Sequence, residues 1–255
     1  MSTTVAILGD FGEGIEFLFK ERESVSGGVQ IGGPAEMAAF CATHMIVSVA
    51  AIVIAAALAI PLSLWLGHIG RGDFLATATS NVGRAVPSLA LLAFFISFIG
   101  LGYTNVISVL VLLAIPPLIT STYVGMRQVD RDTVDAARGQ GMTGWEIVRV
   151  VELPLALPTI FGGLRIAAVT VVATATIAPL ANVQTLGEPI LTPQTYGIVG
   201  QIGASILVAT ITLLIDFLFA RLQRAVTPTG LKLAGEAPAK GPRFSLPTRR
   251  RLGST

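Results

Sequence analysis

The sequence predicts an all-α protein that crosses a membrane five times. Three observations carry that prediction. Of the 255 residues, 53% are hydrophobic and only 13% are charged, whereas a soluble domain carries about a quarter charged residues. Mean hydropathy is +0.76. Residues 85–126, a run of 42, contain no charge at all, which is room for two helices of about 20 residues each and a tight turn.

The elements follow in order. Residues 1–40 are glycine-rich, with six acids and two bases. Phe11, Ile15, Leu18 and Phe19 fall at helical spacing and outline a short amphipathic face, read either as an interfacial helix on the bilayer or as a loosely packed tail. The stretch 26–34, SGGVQIGGP, reads as a flexible connection. Span one covers about 42–66 and is followed by a polar loop at 67–84 with Arg71, Asp73 and Arg84. Spans two and three cover about 84–100 and 105–125, joined by the turn GLGYTN at 100–105. A charged loop at 127–158 leads to span four at about 159–181. A loop at 182–197 with Pro189 and Pro193 leads to span five at about 198–222. From 225 the chain is rich in proline, glycine and basic residues and is expected to be disordered. The expected organisation is thus an extracytoplasmic segment (1–40), a transmembrane domain (41–224) and a basic cytoplasmic tail (225–255).

Five spans place the ends on opposite sides. One side holds 15 of the 17 Lys and Arg: Arg71 and Arg84, the 127–158 loop with Arg165, and everything from Arg221 onward. The other has only Lys20 and Arg22. The positive-inside rule puts the basic side in the cytoplasm and the N-terminus outside. The single cysteine, Cys41, excludes an internal disulfide and reads as a packing residue. The N-terminus lacks the pattern of a signal peptide.

Local signals in the 127–158 loop predict two short helices joined at a glycine. Asp132 can cap the first and Asp135 adds charge near its positive end, while Gly139 and Gly141 can stop it. Thr143 and Glu146 form a T-x-x-E capping box for the second, with Met142 and Ile147 placed as a hydrophobic staple. Pro154 and Pro158 are expected to end the run.

The same residues carry a resemblance. Asp135-Ala136-Ala137, Gly141, Val151, Leu153 and Pro154 follow the spacing E-A-A-x3-G-x9-I-x-L-P, with Asp for Glu and Val for Ile. This resembles the signature loop of the membrane subunits of bacterial ABC importers, and the flanking text GMTGWEIVRVVELPLALPTIFGGLR looks most like permeases for glycine betaine and related osmoprotectants. The resemblance implies a five-span permease core like that of methionine importers, paired with an identical or related second permease. It also implies docking of the loop on a cytoplasmic ATPase dimer and delivery of solute by an extracytoplasmic binding protein. By the same resemblance Asp135, Ala136 and Ala137 shape the docking helix and Gly141 makes the turn. Leu153 and Pro154 anchor the second short helix to span four.

Other residues were weighed as sites. Pro61, Pro87, Pro116, Pro117 and Pro179 punctuate spans. Such bends can help a bundle switch between two openings but are common in membrane helices. Asp216, the one acid well inside a span, suits a proton path or, the favoured reading, a pair with a basic neighbour. His44 suits helix packing near the edge of span one. Phe94, Phe95 and Phe98 could cradle a quaternary ammonium, although lipid-facing or core rings are the commoner use. ATP-binding G-x4-G-K-[ST], HExxH, CxxC and nucleophile-elbow patterns are absent, so no catalytic, metal or cofactor site is expected and ATP hydrolysis falls to another chain. The terminal arginines suit lipid headgroups rather than nucleic acid. Two alternatives stand beside the osmoprotectant importer: an ABC permease for an amino acid such as methionine, and a proton-coupled transporter using Asp216 and His44.

Overall fold

The computed structural model describes residues 3–227, so the basic tail expected to be disordered lies almost wholly outside the described residues. Among the described residues, four helical stretches are long and apolar enough to cross a membrane: Gly33–Ile69, Tyr103–Arg127, Gly144–Ala181 and Pro193–Val226.

The N-terminal segment is more ordered than its glycine content suggests. Helix α1 (Thr3–Phe17) leads into strand β1 (Glu21–Glu23), which pairs antiparallel with β2 (Gln30–Gly32). The stretch read as a flexible connection is therefore a hairpin whose turn uses Gly27 and Gly28 at positive φ. It is closed by a bond from Ser24 N–H to the Val29 carbonyl. Phe17, at 2% exposure, and Gly14 are buried in α1 and Leu18 just beyond it is half-buried against the Phe17 cluster, while Phe11, Ile15 and Phe19 remain exposed. Of the expected amphipathic face only Leu18 turns inward, and the buried Phe17 lies outside that face.

Helix α2 (Gly33–Ile69) contains span one. Its buried line Val47, Ala51, Ala55, Ala59, Ser63, Gly67 repeats every four residues. Lipid tails are as apolar as leucine, so helices in a bilayer associate where small residues let backbones approach, and this line is such a seam. It packs on α5 (Tyr103–Arg127) through Val106, Val109, Leu110, Ala114 and Leu118.

The region predicted as span two is divided. Helix α3 (Asp73–Ala85) takes most of the expected polar loop, and α4 (Ser88–Ile99) takes the rest of the span. Pro87 lacks an N–H and disfavours helical geometry at Val86, so one rod becomes two. With 12 residues, α4 is about 18 Å long, short of the ~30 Å hydrocarbon core. Both helices pack on α5, which is the hub of the bundle.

The next helix, α8 (Leu153–Thr174), crosses α5 closely: a Cβ on Gly163 would lie 2.4 Å from the Ser121 Cβ. A 3-10 turn at Ala175–Ala181 ends at Asn182 in the left-handed conformation. The expected loop at 182–197 folds back as a buried turn with α9 (Glu188–Leu191). A Cβ on its Gly187 would collide with the Thr176 carbonyl at 1.8 Å. Helix α10 (Pro193–Val226) is broken at Gly197 (φ 65°) and contains span five. At its start Tyr196 packs edge-on against Phe17 and Phe40 and donates to Glu36 Oε1 at 2.8 Å. That cluster ties α1, α2 and α10 together.

Candidate functional site

The candidate site is the loop between α5 and α8, built around α6 (Arg131–Gly139) and α7 (Gly144–Ile147). Asp130 caps α6, accepting from the Asp132 N–H at 3.0 Å. The cap is two residues earlier than expected, and Asp132 supplies charge to the first turn instead. The helix closes through Gly141 at φ +84°, with Gly141 N–H bonded to the Arg138 carbonyl and Met142 N–H to that of Ala137. A left-handed residue here releases the chain from α6 without leaving carbonyls unpaired. The Thr143–Glu146 capping box is present in both directions: Thr143 N–H donates to Glu146 Oε2 at 2.7 Å and Glu146 N–H to Thr143 Oγ1 at 3.4 Å.

The loop has a core of its own. Val129, Val134, Ala137 and Ile147 are buried together, with Met142, Val151 and Leu155 against them. Of the signature residues, Ala137 and Val151 are thus brought together inside. Leu153 packs in a neighbouring cluster with Met126, Val148, Ala156 and Ile160. Asp135, Ala136 and Gly141 face outward, and Asp135 meets only Arg138, at 3.3 Å among exposed side chains. A Cβ on Gly141 would find nothing within 4 Å. The exposed side of α6, the open Gly141 turn and Trp145 at 71% exposure form one unpartnered surface.

Pro154 and Pro158 do not end the second helix. After α7 the chain makes a π-turn at Val148–Glu152, in which Leu153 N–H bonds the Val148 carbonyl five residues back. Widening by one residue accommodates Pro154, which has no N–H to give and whose ring would press on the carbonyl four residues earlier in a regular helix. The second short helix is therefore the first turn of a 38-residue rod, Gly144–Ala181, that becomes span four.

Of two ion pairs at and above the loop, the sequence anticipates a basic partner for Asp216 and gives no reading of the other. Glu152, 1% exposed, accepts from or shares a proton with His68 at the end of α2, Oε2 to Nδ1 2.6 Å. Its spacing was a usable signal, because Glu152 lies four residues from both Val148 and Ala156 on the buried face of the rod. An acid on that face requires a partner. Asp216 pairs with Arg165 of α8 in a two-bond fork, Nε–Oδ1 2.5 Å and Nη2–Oδ2 2.6 Å. The expected basic neighbour is thus on another helix. Arg221 instead lies over the Phe217 ring at 4.7 Å. His44 is a fully buried packing residue bonded through Nε2 to the Val172 carbonyl at 2.9 Å. Phe94 and Phe98 stack on each other on the exposed side of α4 and form no cage with Phe95.

The family described as binding-protein-dependent transport system inner membrane component matches residues 59–229. This chain belongs to that family. It is 34% identical over 190 residues to the glycine betaine/carnitine/choline transport system permease protein OpuCB of Bacillus subtilis (strain 168), covering 74% of this chain and 88% of that one. To the osmoprotectant import permease protein OsmY of Salmonella typhimurium it is 39% identical over 152 residues, 58% of this chain and 63% of that one. The fold is similar to a chain of the inward-facing MetNI methionine ABC transporter, with TM-score 0.61 and 23% identity over 73% of this chain and 94% of that one. A chain of an amino acid ABC transporter matches at TM-score 0.58 and 18% identity, over 75% and 92%. At these identities the structural likeness establishes the fold, which is that of ABC importer permeases.

Proposed function

We propose that this chain is the permease subunit of an ATP-driven importer for glycine betaine or related quaternary ammonium osmoprotectants. The observation that carries the reading is its 34% identity, sustained over 88% of the relative, to a permease named for glycine betaine, carnitine and choline. The similarity to the methionine transporter is one of fold, so methionine serves as the control solute.

In this reading the 127–158 loop and the C-terminus face the cytoplasm and the N-terminal segment lies outside, in keeping with the 15 of 17 basic residues on the loop's side. The exposed side of α6, with Asp135 and Ala136, seats in a groove of a cytoplasmic ABC ATPase dimer. Ala137 and Val151 hold that helix to the rod, Leu153 and Pro154 anchor the second short helix to span four, and the bare Gly141 turn lets the partner approach. Closure of the ATPases on ATP pushes the knob. Because Gly144–Ala181 is one continuous helical stretch, the push reaches span four with no loop between. The bundle and a second, identical or homologous permease then open outward to an extracytoplasmic binding protein. ATP hydrolysis, the work of the partner chain, resets the pore.

Labelled glycine betaine uptake after an osmotic upshift, in cells with and without this chain, tests the reading. Uptake that depends on the chain supports it. No dependence, with all subunits present, refutes the substrate. Family membership speaks against a proton-coupled carrier built on Asp216 and His44. Uptake that requires ATP and survives collapse of the proton gradient is the corresponding check.

A further inference from the structure

Three clefts on one face of the bundle are continuous. The first, of about 590 Å³, opens beside the loop at Gln128, Asp130 and Thr133 and reaches Pro158 and Thr159. The second, of about 690 Å³, shares Pro158 and Thr159 and contains Arg165 and Asp216. The third, of about 250 Å³, shares Ser121 and Thr170 with the second and ends at Ser80 and the Pro116–Pro117 rings. Together they form a trough running from the loop along α5, α8 and α10, mostly apolar with hydroxyls and prolines in its lining, with Asp130 at its loop end and one charged pair part-way along it.

That pair is not sealed in the core. Arg165 and Asp216 are 37% and 35% exposed, although Asp216 lies eight residues, about 12 Å, inside Arg224 along α10. An exposed charge within a span is costly against lipid and faces water or another protein instead. The trough therefore faces water or a protein partner rather than lipid. The geometry points to Arg165 and Asp216 as a transient binding step for a zwitterionic solute, Arg165 receiving its carboxylate and Asp216 its ammonium.

The chemistry follows from charge balance. The pair is neutral overall, so a solute with one charge of each sign can enter by exchanging partners: Arg165 turns its N–H groups to the solute carboxylate while Asp216 faces the cation. Neither protein charge is left alone, and the fork re-forms when the solute leaves. A monovalent cation would satisfy Asp216 and leave Arg165 without its partner beside a mostly apolar cleft wall, which disfavours it. A site that re-pairs with itself also binds weakly enough to release, as a conducting path requires. This rests on the osmoprotectant reading above and deepens it.

The test uses the complete importer, with its ATPase and binding protein, in proteoliposomes. The wild type is first assayed with glycine betaine, carnitine and choline. If none is carried, the proposed function itself falls. If choline alone is carried, that function stands and the zwitterion step is overturned. With betaine carried, Arg165→Gln/Asp216→Asn removes both charges together and avoids stranding one. The expected result is an assembled complex whose ATP hydrolysis, stimulated by the binding protein, stays within about twofold while betaine uptake falls about tenfold or more, the loss of charge-assisted hydrogen bonds. Arg165→Lys, which keeps the charge and loses the fork, should recover part of the uptake. Unchanged uptake in the double variant overturns the proposal. So does a parallel loss of assembly, hydrolysis and uptake, the outcome for a mere tie between α8 and α10.

Discussion

Substitution at Gly141 separates the conformational role of the turn from its role as a docking surface. Gly141 sits at φ +84°, and a side chain there would meet nothing of this chain within 4 Å. The cost to the isolated permease is therefore backbone strain alone, about 1–2 kcal/mol for alanine. Aspartate tolerates the left-handed region better than alanine, because its short polar side chain bonds locally, so Gly141→Asp should strain the fold less than Gly141→Ala. Docking reverses that order. On the proposed docking, an added carboxylate in the open space would be desolvated against the ATPase, whereas a methyl group would be nearly tolerated. Gly139, two residues earlier, lies within α6 with equally open surroundings. Gly139→Ala should be neutral or stabilising by up to about 1 kcal/mol. The assay is abundance and thermal midpoint of the purified permease, followed by co-purification of the ATPase and ATP-driven uptake. The expected order of stability is Gly139→Ala, then Gly141→Asp, then Gly141→Ala; the expected loss of coupling is greatest for Gly141→Asp. A fully coupled Gly141→Asp importer at normal abundance would refute the assignment of this surface.

Thr143→Ala removes both hydroxyl contacts of the capping box and should cost about 1 kcal/mol, seen as faster amide exchange at residues 144–147 with the rest of the rod unchanged. His68→Ala strands the buried Glu152 carboxylate and should cost about 3–5 kcal/mol. Glu152→Gln, which leaves an amide within reach of His68, should cost about 1 kcal/mol, and equal thermal midpoints for the two would show that the pair contributes little. Gly163→Leu forces a side chain into the Ser121 contact at 2.4 Å and should cost at least the 1–3 kcal/mol of ordinary overpacking, read as loss of folded protein from the membrane fraction.

The local features of the loop were legible in the sequence. A capping box, a staple and a glycine stop act over three to five residues, so Thr143, Glu146, Met142, Ile147 and Gly141 behave as their spacing requires. Hydropathy also located the spans, because a bilayer imposes one minimum length on any crossing helix. Even so, the expected polar loop at 67–84 is largely the helix α3, Pro87 separates it from an α4 of only 12 residues, and the cap of α6 moved to Asp130. Pro154 was read as a stop since proline breaks an isolated helix. Packing of Leu153 against Met126, Val148 and Ala156 holds the chain helical past it through a π-turn, and local pattern carries no record of those neighbours.

The amino-acid sequence by itself determined the all-α membrane class, the place of the loop and the chemistry of its caps. Each of these depends on residues close together in the chain or on the fixed thickness of a bilayer. Tertiary structure alone decided which distant groups meet. Glu152 finds His68 across 84 residues and Arg165 finds Asp216 across 51. Phe17 rather than Phe11 faces α10, whose Gly203 admits the Gly14 carbonyl so closely that a Cβ would lie 2.5 Å from it. Those pairings depend on how four long helices cross, and the crossings are set by small residues whose individual signals are weak and whose effect appears only when two backbones approach.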